Sequence, residues 1–333
     1  MTILTKHFAK VTILSVAIAA TATPAVAQDS DPVYNLKASH YFKPGHPWDM
    51  GLTRFAERAN ELSNGKINVE IYSNGVLGNE TDMLQNLREG ILDFAVTDPS
   101  AGSTFTKELD FFALPFLFED YQHWQETLDG DIGSRYAEVI SEKADLKILG
   151  YWGGASRNVL ATDEPIKSIE GLEGFKIRLV QSPLKVDVWK SVGTIPTPIS
   201  YLETYSALQS GTVDGMENES VAVLDMKFYE PAPYITRTEH EYTVRPLFMS
   251  NQTYNELPEQ LQNVVMQAAA EATEYERQVE KSASQDAEEQ MKELGVEFYS
   301  IDMQPLREAT APVLVEYADT MGLSDLYDDI KSN

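Results

Sequence analysis

From residue 36 onward, short apolar stretches alternate with longer ones whose apolar residues recur at helical spacing. Residues 36–39 predict a first strand, and residues 40–47 a loop held open by Pro44, Gly45 and Pro47. Leu52, Phe55, Ala56, Ala59 and Leu62 then mark one face of a helix that Asn64-Gly65 ends. Ile67, Val69 and Ile71 alternate with polar residues, as in a strand with one buried face. Asn79 is placed to cap a helix carrying Met83, Leu84 and Leu87; Gly90 stops it, and residues 92–96 predict a buried strand. This βαβα order predicts a parallel sheet covered by helices.

The pattern then restarts. Residues 147–152 predict a strand that Gly153-Gly154 breaks, residues 158–162 and 176–180 further strands, and residues 183–192 and 201–209 helices. Leu87, Gly90 and Asp93 recur as Leu208, Gly211 and Asp214, each time as helix end, glycine stop and strand start. The echo supports two similarly built lobes. Residues 256–294 are almost uninterrupted helix former, which at 1.5 Å per residue outruns the width of a ~120-residue lobe, so they predict a bent strut lying across both. A strand at 297–301 and a helix at 305–319 close the fold. The fold class expected is α/β.

The N-terminus follows another rule. Lys6, His7 and Lys10 precede an apolar run at 11–22, and Ala25-Val26-Ala27 supplies the small-x-small pattern of a cleavage site, so residues 1–27 read as an export signal. A dozen apolar residues are too few to span a bilayer, and the mature chain is expected to be soluble and periplasmic. Net charge is −26, and loss of Lys6 and Lys10 makes it two charges more acidic. That excludes nucleic acid and anionic membranes as ordinary partners. The absence of cysteine excludes disulfides, thiolate metal sites, a cysteine nucleophile and a lipidated N-terminal cysteine.

Few motifs advertise chemistry. There is no H-E-x-x-H, no G-x-S-x-G elbow, no phosphate loop and no G-x-G-x-x-G, so neither a metal nor a cofactor is expected. Arginine is more informative. Arg178 lies in a strand whose Ile177 and Leu179 point to the opposite face, and Arg157 follows Gly153-Gly154 where a strand is expected to end. Ligands of open α/β sheets bind at the C-terminal ends of strands, where two guanidiniums would hold a carboxylate through paired charge-assisted hydrogen bonds. Ion pairing with the abundant acidic residues is the alternative. Asn218 either meets a ligand or caps the helix that follows it. Tyr41, Trp152 and Tyr201 serve either as pocket walls or as core. Asp98, with Pro99 following, reads as a turn cap rather than a hydroxyl ligand.

In order and spacing, several segments resemble the solute-binding proteins of TRAP (tripartite ATP-independent periplasmic) transporters, of the type that captures organic acids. They are His46-Pro47, the run from Gly75 to Glu80, Leu172 to Arg178, Pro196-Thr197-Pro198, Tyr205 to Gly211, Val213 to Asn218, and Leu257-Pro258. The resemblance covers nearly the whole mature chain. It implies a two-lobed periplasmic binding protein with hinged lobes and a long helix crossing both. The expected division is residues 28–154 with 243–282 as lobe I, and 155–242 with 283–333 as lobe II. It further implies that Arg178 binds the ligand carboxylate, that Arg157 is a second site arginine, and that Asn218, Glu80 and Tyr201 contact the ligand. Tyr41 and Trp152 match pocket-lining positions. Glu219 stands where the family usually has a small residue or proline. The expectation is capture without catalysis by a monomer that hands a small carboxylate, such as a uronate, to the small and large membrane subunits of a permease. An exported lyase or hydrolase with Tyr201 or Tyr41 as acid–base, or a receptor-coupled binding protein, is the alternative.

Overall fold

The structure is a computed structural model and describes residues 32–332; the export signal expected at residues 1–27 lies outside them. The first half-pattern folds as β1 (Tyr34–Ser39), α1 (Pro47–Leu62), β2 (Ile67–Tyr72), α2 (Glu80–Arg88) and β3 (Phe94–Val96). Asn79 caps α2 in a reciprocal capping box with Asp82. β2 is an edge strand, so of its three alternating apolar residues only Ile67 is fully buried. Two helices, α3 (Tyr121–Asp129) and α4 (Asp131–Ala144), occupy a stretch for which the pattern gave no element.

β4 (Leu146–Ala161) corrects the expected break at Gly153-Gly154: it is one strand of 16 residues. Both glycines adopt positive φ, 92° and 95°, and a Cβ on Gly153 would lie 2.8 Å from Thr243 Oγ1. They create a bulge between Gly153 and Ser156 that bends the strand without ending it. The chain continues through β5 (Lys176–Leu179), α5 (Pro183–Ser191), β6 (Ile195–Pro198), α6 (Thr204–Gln209), β7 (Gly215–Glu219), α7 (Ser220–Asp225) and β8 (Tyr234–Arg237). It ends with β9 (Tyr242–Ser250), α8 (Asn251–Glu256), α9 (Glu259–Glu293), β10 (Glu297–Ser300), α10 (Gln304–Met321) and α11 (Ser324–Ser332).

The sheet order is β2-β1-β3-β9-β4-β7-β5-β6. The all-parallel expectation holds only within each outer trio, β2-β1-β3 and β7-β5-β6. Between them β9 and β4 run antiparallel to each other and to the trios they join. The result is the two-lobed α/β architecture, crossed by a pair of long strands. The Leu-Gly-Asp echo marks equivalent places. Gly90 and Gly211 adopt φ of 66° and 69°, and the carboxylates of Asp93 and Asp214 accept hydrogen bonds from Lys37 N (2.7 Å) and Lys176 N (2.9 Å) in a neighbouring strand. As expected of a strut, α9 runs as one helix of 35 residues, ~52 Å at 1.5 Å per residue. It packs on α1, β4 and α7, elements that lie toward both trios.

Candidate functional site

A small, largely enclosed cavity lies between the two trios. Tyr41, Phe42, Glu80, Asp98 and Arg245 line it from the first trio and β9. Arg157, Arg178, Val180, Tyr201, Asn218 and Glu219 line it from the second trio and β4. Wider grooves flank α9, but they are open; Arg54 stands 3.9 Å from Glu271 in one, and Arg277 Nη1 lies 2.8 Å from Asp129 in the other.

The two arginines singled out by the sequence meet at this cavity in different states. Arg157 follows the β4 bulge, opposite Glu219 in the β4–β7 register. Its Nη1 donates to Glu219 (2.8 Å), its Nη2 to the Glu217 carboxylate (2.9 Å) and carbonyl (3.0 Å), and its Nε to Glu217 as well. Burial opposes its charge, yet Glu217 and Glu219 outweigh that and hold the guanidinium firmly protonated. Burial likewise pushes the Glu217 carboxyl up, and Arg157 and Lys185 hold it well below the usual range.

Arg178 is placed as the strand pattern predicts, between buried Ile177 and Leu179. Its Nε and Nη2 donate only to the Ile199 carbonyl (2.9 and 2.6 Å). The closest carboxylate contact is Glu80 Oε1, 4.0 Å from Nη2 and beyond hydrogen-bond reach. Burial lowers its pKa, and Glu80 and Glu217 offset this only in part. Here is a buried cation without a bonded counter-charge.

Glu80, the first residue of α2, accepts from Tyr201 N through Oε1 (2.9 Å), while its buried Oε2 has no partner. The Tyr201 ring packs 4.9 Å from Tyr41, and its hydroxyl accepts from Asn218 Nδ2 (3.2 Å). Asn218 does not cap α7: the cap position is Glu219, and Asn218 Oδ1 accepts from Glu219 N (3.0 Å) within β7. Asp98 caps the turn, as expected. Oδ1 accepts from Ser100 N (3.0 Å) to cap the turn at Pro99–Gly102, and the carboxylate also faces the cavity.

Trp152 is placed elsewhere. It is fully buried, its ring fills the space beside Gly51, and its Nε1 donates to Thr273 Oγ1 on α9 (3.0 Å). It is core beneath the long helix rather than pocket wall. Arg245 is the residue that sequence reasoning missed, because β9 itself went unread. The signal was a lone cation in the apolar run Val244-Arg245-Pro246-Leu247-Phe248-Met249, which only a buried counter-charge or a polar site would justify. Away from the cavity face, Glu217, His240 and Glu241 bring ligand-type atoms within 4.8 Å of one another. Arg157 and Lys185 already neutralise that cluster, with Lys185 Nζ 2.6 Å from Glu241.

Comparison with known proteins agrees with this geometry. Residues 38–320 match bacterial extracellular solute-binding protein family 7. A solute-binding protein of Sulfitobacter sp. (strain NAS-14.1) is 35% identical over 321 residues, 95% of this chain and 96% of its own. A TRAP periplasmic solute-binding protein from Sulfitobacter sp. NAS-14.1, solved with bound α-D-taluronate, superposes with a TM-score of 0.86 at 33% identity, covering 90% of this chain and 97% of its own. Another from a Bradyrhizobium species, solved with α/β-D-galacturonate, gives 0.87 at 30% identity, covering 90% and 100%. The chain therefore belongs to bacterial extracellular solute-binding protein family 7 and is an extracytoplasmic solute-binding protein of the TRAP type.

Proposed function

We propose that this protein captures a sugar acid of the uronate type in the enclosed cavity, with the acid's carboxylate against Arg178, and delivers it to the membrane subunits of a TRAP permease. The observation that carries the reading is the state of Arg178, a buried guanidinium that touches the cavity and is bonded only to the Ile199 carbonyl. A ligand carboxylate supplies the short, bidentate contact that Glu80, at 4.0 Å, does not make. Arg157, saturated by Glu217 and Glu219, ties β4 to β7 rather than waiting for a ligand. The orphan Oε2 of Glu80 and the Asn218–Tyr201 pair offer acceptors and donors for ring hydroxyls. The relatives' bound uronates support this ligand class.

In this reading lobe I comprises residues 28–154 with 243–282, and lobe II residues 155–242 with 283–333. The switch of β4 from pairing with β9 to pairing with β7 near Arg157 supports that boundary. Contacts that cross it, such as Glu80 to Tyr201 N, then form on closure. Capture proceeds without chemistry. Burial raises the pKa values of Tyr41 and Tyr201, which keeps both phenols protonated and disfavours either as a general base near neutral pH.

Titration calorimetry of the purified protein with D-galacturonate and D-glucuronate tests the reading, with mass spectrometry of the ligand recovered afterwards. Tight binding, recovery of the acid unchanged, and a loss of roughly 30–1000-fold in Arg178→Lys are expected, as when one partner of a buried charge pair is removed. Wild-type affinity in Arg178→Lys would refute the carboxylate assignment.

A further inference from the structure

Arg245, on β9, and Asp98, just after β3, face the cavity from the other side of β4 and β7 from Arg178, and their state differs from that of Arg157. Arg245 Nη1 stands 3.5 Å from Asp98 Oδ2 and Nη2 3.7 Å from Glu219 Oε2, so both carboxylates neutralise the guanidinium without taking a short hydrogen bond from it. Its one bond is a long one from Nη1 to the Val244 carbonyl (3.4 Å), and the buried Nε has no partner. Asp98 spends Oδ1 on Ser100 N and leaves Oδ2 toward Arg245. In the sheet order, β4 and β7 separate β9, which carries Arg245, from β5, which carries Arg178. The cavity therefore has two cationic poles, one without a bonded carboxylate and one already flanked by two.

We propose that the Asp98–Arg245 pair selects a hydroxyl at the end of the ligand remote from Arg178 and rejects a second carboxylate there, so that the site takes sugar monoacids in preference to the matching diacids. The inference rests on the carboxylate reading of Arg178 given above. A hydroxyl satisfies both members at once, because its hydrogen donates to Asp98 Oδ2 while its lone pairs accept from Arg245. A carboxylate satisfies Arg245 but has no hydrogen for Asp98, and it adds a third negative group around one guanidinium in a water-poor space. Specificity then comes from a repulsive element as well as an attractive one. Rejection of an analogue that cannot pair with a buried polar group is the strong form of discrimination.

The test is titration of the full-length chain with D-galacturonate and with galactarate, the diacid formed when C1 of the same sugar is oxidised. The wild type is expected to bind galacturonate at least 100-fold more tightly. Asp98→Asn keeps an oxygen to cap Ser100 N and removes the negative charge; it should narrow the ratio at least 10-fold, mainly by tightening galactarate. Asp98→Ser, which keeps a smaller cap, is the second variant should the first fail to fold, and melting of each unliganded variant confirms folding. A folded variant with the wild-type ratio, or a wild type that prefers galactarate, overturns the inference while leaving the Arg178 reading standing. A wild type that binds neither acid overturns both.

Discussion

Arg157 and Arg178 line one cavity and are both almost wholly buried, yet their removal should have opposite signatures. Arg157→Met strips the counter-charge from Glu217 and Glu219, which stay buried in the β7 strand. Breaking a buried pair from one side costs about 3–5 kcal/mol, because the remaining charge has lost its partner. At ~2.1 cal/mol/K per residue over about 300 residues, 1 kcal/mol shifts Tm by roughly 1.6 °C, so the ligand-free variant should melt about 5–8 °C lower. Arg178→Met removes two hydrogen bonds to one carbonyl, worth about 1–1.5 kcal/mol net. It also relieves a cation whose charge burial opposes and whose nearest carboxylate stands at 4.0 Å. The two contributions nearly cancel, and Tm should stay within about 2 °C of wild type. Differential scanning fluorimetry without ligand reads the stabilities, and calorimetry with D-galacturonate reads the affinities. The reasoning is refuted if Arg178→Met melts as low as Arg157→Met, or if it still binds the acid at wild-type affinity.

Two further outcomes follow from buried groups and backbone. Burial, with Glu219 adding to it, raises Glu280 on α9 to about 8. A carboxyl raised above its unfolded value contributes stability that is complete below pH ~4.5 and lost as pH climbs to about 8, at ~1.4 kcal/mol per unit. Wild-type Tm should therefore fall between pH 6.5 and 8, and Glu280→Gln should flatten that slope; parallel curves would remove Glu280 as its source. At Gly153 a Cβ would lie 2.8 Å from Thr243 Oγ1 and 2.9 Å from the Thr243 carbonyl, whereas at Gly174 (φ 74°) nothing lies within 4 Å. Gly174→Ala should cost only the ~1 kcal/mol of left-handed strain, and Gly153→Ala the upper part of the ~1–3 kcal/mol range or more. Equal melting losses would mean that the crossing strands shift freely to make room.

Much of the fold was legible because its elements are locally consistent. The α1 face, the Asn79 cap, the paired glycine stops and the strand holding Arg178 each rest on periodicity or on a single backbone requirement. What escaped was set by tertiary contacts. Gly153-Gly154 reads as a break because glycine normally punctuates strands, but β9 on one side and Glu276, which accepts from Gly153 N (3.1 Å), on the other hold the backbone in register. β9 itself shows no alternation, since it is buried on both faces, and with it Arg245 disappeared from view. Trp152 was legible as a large aromatic in a strand, but which face it took depended on α9, more than a hundred residues downstream.

The same distinction explains why charge counting underdetermined the site. A chain with net charge −26 must bind an anion against its own long-range field, and at physiological salt that field is screened beyond about 8 Å. What matters is the short-range pairing inside the cavity, and residue types along the chain do not encode pairing. Arg157 and Arg178 look alike in sequence, each a cation in or near a strand. The register of β4 against β7 places Arg157 opposite Glu219 and two residues from Glu217's partner Val159, so its charge is consumed. β5 is flanked by β6 and β7, and its Arg178 register neighbours are Thr197 and Met216, neither of which carries a charge. Strand pairing thus decides which arginine is locked to carboxylates across the sheet and which has none in its register.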